Sequence, residues 1–201
     1  MSISPASPPR RPWRLTVVAQ RAVAELLRPG DLAVYATAGN GHDTLLLARG
    51  VGATGRVLAF DVQPQAIANT RERLLASGLL DRVRLLHMGH EQLADILPDH
   101  SARPLRVLMF NLGYLPGGDK RHVTAADTTL AALDAGAAAL ASGGLISLMV
   151  YIGHPGGAGE LAAVRAWVER LDTASWSTSE QTGETPTSPV WFRLRRLTPR
   201  A

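Results

Sequence analysis

Five short, unbroken apolar runs set the terms for this chain: Leu32 to Tyr35, Val57 to Phe60, Val83 to Leu86, Val107 to Phe110 and Leu145 to Tyr151. Runs of this length and continuity belong to strands covered on both faces. Between them the apolar residues recur at helical spacing, with Ile67, Thr70 and Leu74 marking one helix. Leu130, Leu133, Ala137 and Leu140 mark a second, and Leu161, Val164, Val168 and Leu171 a third. Ahead of the first run, Leu15, Val18, Ala19, Ala22 and Leu26 oppose Arg14, Arg21, Glu25 and Arg28 on a helix that Pro29-Gly30 stops. Strands alternating with helices demand a parallel sheet with right-handed crossovers, which puts helices on both faces. After the last helix the rule breaks. Trp176 to Glu180 and Val190 to Leu197 are joined by a polar loop too short for a crossover helix, so they pair antiparallel. The expected fold is α/β, a mostly parallel seven-stranded sheet with a C-terminal antiparallel hairpin.

With 201 residues there is room for one domain of this kind, from Trp13 to the end of the chain. Residues 1–12, with Pro5, Pro8, Pro9 and Pro12 among Ser and Arg, read as a disordered N-terminal tail. No apolar run approaches the roughly 20 residues that span a bilayer, and the start lacks the apolar stretch of a secretory signal, so the expectation is a cytoplasmic protein with no membrane partner. The chain contains no Cys, and its six His show no ligand-like spacing, which sets aside thiolate and metal chemistry. The formal charge of +4 suits a polyanion such as RNA, and Arg clusters at Arg10, Arg11 and Arg14 and again at Arg193, Arg195, Arg196 and Arg200. Of the 21 basic residues 20 are Arg, which reads equally as compositional bias alongside the heavy use of Ala and Gly.

In an open parallel sheet, ligands sit beyond the carboxyl ends of the strands where the strand order reverses. The first strand runs straight into Thr37-Ala38-Gly39-Asn40-Gly41-His42-Asp43-Thr44. Two glycines at alternate positions allow a tight turn and close approach to a ligand, and the following helix offers unpaired N–H groups. Asp61 closes the second strand, 20 residues after Gly41, where a carboxylate accepts both hydroxyls of an adenosine ribose. A nucleoside-containing cofactor is the reading, although a Gly-Asn-Gly segment after a strand also serves as a plain turn. A dinucleotide fingerprint needs a third glycine where this chain has Thr44, which disfavours an NAD-dependent oxidoreductase. S-adenosylmethionine carries no pyrophosphate and tolerates the looser glycine pattern. The pair His90-Glu91 follows the third strand and borders the expected adenine; it also reads as an ordinary helix start.

The fourth strand ends in Phe110-Asn111-Leu112-Gly113-Tyr114-Leu115-Pro116-Gly117-Gly118-Asp119. Amine-directed methyltransferases place an Asn-Pro-Pro-Tyr-like segment here, in which the Asn accepts hydrogen bonds from the target nitrogen and the Tyr stacks on the base. Asn111 and Tyr114 keep those two ends; the alternative is that Asn111 terminates the strand and Tyr114 packs under the loop. The fifth strand opens into Tyr151-Ile152-Gly153-His154-Pro155-Gly156-Gly157 at the same edge, after a helix-to-strand turn at Ala141-Ser142-Gly143-Gly144. His154 faces Asn111 across the expected cleft, where Asp119 or His154 takes up a released proton.

Taken together, Ala36 to Thr44, Phe60-Asp61-Val62-Gln63, His90-Glu91, Phe110 to Lys120, Thr128-Thr129, and Tyr151 to His154 with Glu160 resemble one family. It comprises the bacterial tRNA 5-(aminomethyl)-2-thiouridine methyltransferases, the MnmM or YtqB-like group, formerly called rRNA methylases. The likeness extends from about Trp13 to Leu197. It implies a Rossmann-like class I methyltransferase fold, S-adenosyl-L-methionine as cofactor, and tRNA, at its anticodon loop, as partner. The implied reaction is N-methylation of the 5-aminomethyl group on the wobble 2-thiouridine. On this reading Asn111, Tyr114, Asp119 and His154 are the catalytic candidates. Thr37, Gly39, Asn40, Gly41, Asp43, Thr44, Asp61, Gln63, His90, Glu91 and Asn111 are the cofactor-binding candidates. Two departures stand out: Tyr35 replaces an acid that usually orients the methionine end of the cofactor, and Thr182 to Pro189 match poorly. The alternatives are a methyltransferase acting on rRNA or a small molecule, and a non-catalytic RNA-binding relic that lost cofactor affinity through Tyr35. Self-association as a homodimer is compatible with each.

Overall fold

The computed structural model describes residues 14–115, 117, 123–185 and 187–198; the expected tail, Asp119 and Lys120 lie outside the described residues. In chain order the elements are α1 (Arg14–Leu26), β1 (Leu32–Tyr35), α2 (His42–Gly50), β2 (Arg56–Asp61), α3 (Pro64–Ala76), β3 (Val83–His87) and α4 (Leu93–Ile96). They continue with β4 (Leu105–Leu112), α5 (Ala126–Ala139), β5 (Leu140–Val150), α6 (Gly157–Glu169), β6 (Trp176–Thr182) and β7 (Val190–Arg196). The seven strands form one sheet in the order β3-β2-β1-β4-β5-β7-β6. Strands β1 to β5 run parallel, whereas β7 is antiparallel to both β5 and β6. This is the expected class I methyltransferase architecture.

Alternation along β1 shows why its four residues are all buried. Leu32 and Val34 enter one core with Leu58, Phe60, Leu108 and Phe110, under Leu93 of α4, Leu133 of α5 and Val164 of α6. Ala33 and Tyr35 enter the other with Val23 of α1, Leu47 of α2 and Leu74 of α3. Each fully buried Leu or Phe contributes roughly 1.5–3 kcal/mol. These two cores, rather than helix propensity, therefore hold the layers together. In α5 the backbone comes close to the sheet: a Cβ on Gly136 would overlap the side chain of Leu108.

Two local expectations shift. On α1 the buried row is Ala19 and Val23, continued by Leu27 just past the helix, while Val18 sits at the border of the stripe and is 44% exposed. Leu140, expected at the end of a helix, begins β5. Leu105 pairs with Leu140 and Val107 with Leu145, so the expected turn at Ala141–Gly144 is a wide bulge inside the strand. Gly143 there has φ +74°. None of the described helices is long and apolar enough to cross a membrane. Strand order reverses between β1 and β4, and the carboxyl ends of β1, β2 and β4 open at that point onto one cavity.

Candidate active site

The cavity has a volume of about 1040 Å³, enough for a nucleoside cofactor and a second ring together. Its floor is the turn after β1. Gly41 has φ +79°, and a Cβ there would lie 2.8 Å from the Cα of Thr70, so only glycine fits between the turn and α3. Helix α3 holds the turn from outside by three bonds: Thr70 Oγ1 donates to the Gly39 carbonyl (3.1 Å), Arg73 Nε to the Asn40 carbonyl (2.7 Å), and Asn69 Nδ2 to Asn40 Oδ1 (2.9 Å). Thr70 read only as a helix marker in the sequence, and Asn69 and Arg73 carried no signal at all.

At the end of β2, Asp61 accepts the Gly39 N–H on Oδ2 and the Gln63 N–H on Oδ1, each at 2.9 Å. Each carboxylate oxygen is thus steadied by one backbone amide and retains a lone pair toward the cavity. Two such acceptors on one rigid group match the vicinal diol of a ribose. Thr37, Asn40, Gln63, His90 and Glu91 also line the cavity. Thr44 does not line it: it is fully buried in the first turn of α2, with its Oγ1 lacking a partner among the described residues.

Asn111, near the end of β4, donates its backbone N–H to Thr37 Oγ1 (2.9 Å), which ties β4 to the turn after β1. Its side-chain Nδ2 donates to Tyr35 OH (2.8 Å) and to Asp43 Oδ2 (2.7 Å). Asn111 lines the cavity, and its Oδ1 is buried with no partner among the described residues. Tyr35 OH donates in turn to Asp43 Oδ2 (3.0 Å). Burial, reinforced by the charge of Asp43, raises the phenol well above its ordinary pKa, so it stays protonated. Where the resemblance expects an acid at Tyr35, a carboxylate therefore still reaches the site, from Asp43 in the first turn of α2. Gln20 of α1, which nothing in the sequence singled out, donates Nε2 to Asp43 Oδ1 (2.6 Å).

Across the cavity, His154 places Nδ1 2.9 Å from the Pro155 carbonyl. A carbonyl only accepts, so Nδ1 is the donor in this contact; Nε2 is buried without a partner among the described residues. Tyr114 stands edge-on to the His154 ring at 6.2 Å and is 39% exposed at the mouth. His90 repeats the pattern below: Nδ1 lies 3.0 Å from the Ala36 carbonyl, Phe110 lies edge-on at 5.7 Å, and Nε2 is unpaired. Burial lowers its pKa and keeps it neutral. Glu160, 3% exposed, accepts from Thr124 Oγ1 (2.7 Å) and Thr129 Oγ1 (2.8 Å), which fastens the foot of the Tyr114 loop to α6. Thr187, in the segment that matched poorly, also reaches the cavity wall. The arrangement thus offers a diol acceptor, an amide oxygen without a partner among the described residues, a pair of imidazoles and an exposed aromatic rim.

Residues 57–192 match the family described as "Putative rRNA methylase". The tRNA (mnm5s2U34)-methyltransferase of Arabidopsis thaliana, a chloroplastic protein, is 41% identical over 171 residues, 81% of this chain. The chain spans 62% of that relative's length. A "putative rRNA-methylase" from Clostridium thermocellum superposes with a TM-score of 0.85 at 33% identity, covering 90% of this chain and 97% of its own. SMU.1697c from Streptococcus mutans, solved in complex with SAH, superposes with a TM-score of 0.80 at 31% identity, covering 94% of this chain and all of its own.

Proposed function

This chain belongs to the rRNA methylase family, and from that premise we propose that it is an S-adenosylmethionine-dependent methyltransferase acting on tRNA. Its acceptor is the 5-aminomethyl nitrogen of a wobble 2-thiouridine, reached in the cytoplasm. The observation that carries the reading is the buried, unpaired Asn111 Oδ1 in the same cavity as Asp61. A carboxylate suited to a ribose and an amide oxygen suited to an amine share one enclosed space. The SAH held by the Streptococcus mutans neighbour, the demethylated form of this cofactor, and the acceptor named for the Arabidopsis relative support the two halves of the proposal.

When bound, the cofactor supplies an electrophilic methyl group on a sulfonium cation. The chain's own residues do the rest. Asp61 takes the ribose hydroxyls, and Thr37, Asn40 and Gln63 line the space around them. Asn111 Oδ1 accepts an N–H of the substrate amine, which turns the nitrogen lone pair away from the amide and toward the cofactor side of the cavity. His154, across the cavity from Asn111, takes the proton that N-methylation releases. Tyr114 stacks on the uracil ring of a nucleotide drawn out of the anticodon loop.

The test is nucleoside mass spectrometry of tRNA from cells lacking the protein. The expected result is loss of 5-methylaminomethyl-2-thiouridine with accumulation of the 5-aminomethyl form, both reversed by the wild-type gene. An unchanged nucleoside profile overturns the acceptor. Methyl transfer by the purified enzyme to ribosomal RNA but not to tRNA does the same while leaving the cofactor in place.

A further inference from the structure

Asp43 has no direct part in the chemistry above, yet it is a buried carboxylate, 5% exposed. Burying such a group is costly unless its lone pairs are filled. They are filled by Gln20 Nε2 at 2.6 Å, Asn111 Nδ2 at 2.7 Å and Tyr35 OH at 3.0 Å, all neutral donors. Its place in the first turn of α2 adds the favourable end of the helix dipole. Among the described residues no Arg or His forms an ion pair with it.

The physical effect of this arrangement falls on Asn111. A carboxamide has two orientations that exchange oxygen and nitrogen, and packing alone barely distinguishes them. A carboxylate only accepts, so the end facing Asp43 must be the NH2. Tyr35 imposes the same choice: its single proton goes to Asp43, which leaves its oxygen able only to accept from Asn111 Nδ2. With both neighbours demanding nitrogen, Oδ1 is held at the opposite end of the amide, where it has no partner among the described residues. Donation to a charged acceptor also polarises the amide and makes Oδ1 the better acceptor.

We propose that Asp43 is a positioning residue for methyl transfer, locking the Asn111 carboxamide with Oδ1 toward the acceptor amine. Tyr35 and Gln20 hold the lock in place. The proposal rests on the reading of Asn111 given above and extends it to the residues behind it.

The test compares Asp43→Ala, Asp43→Asn and Asn111→Ala in the full chain. The readouts are side-chain amide NMR of Asn111 without added ligand, S-adenosylmethionine affinity by calorimetry, and kcat on unmodified tRNA. In Asp43→Ala the Asn111 carboxamide loses its protection from hydrogen exchange, and kcat at saturating S-adenosylmethionine falls by about 100-fold. Asp43→Asn recovers most of both losses, because its amide oxygen still accepts from Asn111 and Tyr35 while Gln20 turns its own amide to meet the new NH2. Two results overturn the lock: protection that survives Asp43→Ala, or an Asp43→Asn variant as impaired as Asp43→Ala. Loss of turnover in Asn111→Ala beside full turnover in Asp43→Ala sinks this inference alone. Full turnover in Asn111→Ala sinks the reading of Asn111 and the catalytic role of Asp43 with it. If the wild type methylates no tRNA, the exchange measurement still decides whether Asp43 sets the amide.

Discussion

At the scale of single residues, the site depends on polar atoms buried without partners, and His90 shows what that implies for pH. Its folded-state pKa lies below the ordinary 6.5 because burial penalises the charged ring. Above that value the folded and unfolded forms are both neutral and His90 makes no difference. As pH falls through it, the unfolded chain takes a proton that the folded protein resists, so stability is lost toward acid until the folded pKa is reached. The urea midpoint is therefore expected to fall between about pH 7 and about pH 5.5. The slope should flatten, without vanishing, in His90→Gln. His100 is shifted in the same direction by its burial and by Arg84, which accounts for the remainder. A slope unchanged by His90→Gln would mean that His90 is charged in the fold. Residues at this scale were partly legible in advance: Asp61, Asn111 and His154 stand at strand ends, where the chain order alone directs them to one edge. Gln20 was not, because a glutamine on the polar side of an amphipathic helix looks like any solvated residue until its partner, 23 positions away, is known.

At the scale of elements, the junction between α2 and α3 makes the turn after β1 rigid. In Gly41→Ala the backbone would have to hold φ +79° with a Cβ pressed against Thr70. The left-handed conformation alone costs about 1–2 kcal/mol in a non-glycine residue. The expected outcome is a Tm lower by roughly 2–8 °C, together with weakened S-adenosylmethionine binding. A wild-type melting curve would show that α3 yields. Element boundaries were readable to within a residue in β1 and β3, while β4 extends two residues beyond its apolar run at each end. They were misread at Leu140, because periodicity carries an apolar residue equally well into a helix end or a bulged strand. Asn69 and Arg73 were invisible for a related reason: their work is done on a turn that packs against α3 only in three dimensions.

At the scale of the whole molecule, the charge of +4 is unevenly spread. Arg193 and Arg195 lie on the same face of β7, and Arg195 is depressed first by burial and then by Arg193 and Arg106. Crowded like charges are relieved by an anion. If about three phosphates are neutralised, tRNA affinity should fall by roughly 20- to 40-fold between about 50 and 200 mM salt. Affinity that ignores salt in filter-binding titrations would exclude phosphate contacts. The parallel sheet followed from the alternation of strands and helices, whereas the strand order, with β7 inserted between β5 and β6, did not, since a hairpin can dock by either strand. That insertion governs how the protein emerges from the ribosome. The outer edge of β5 stays open, with its amides and carbonyls exposed, until Val190–Arg196 have left the exit tunnel. A nascent chain stalled before that point would present a long apolar strand edge to its neighbours, so the wait for β7 is the interval in which a chaperone matters most.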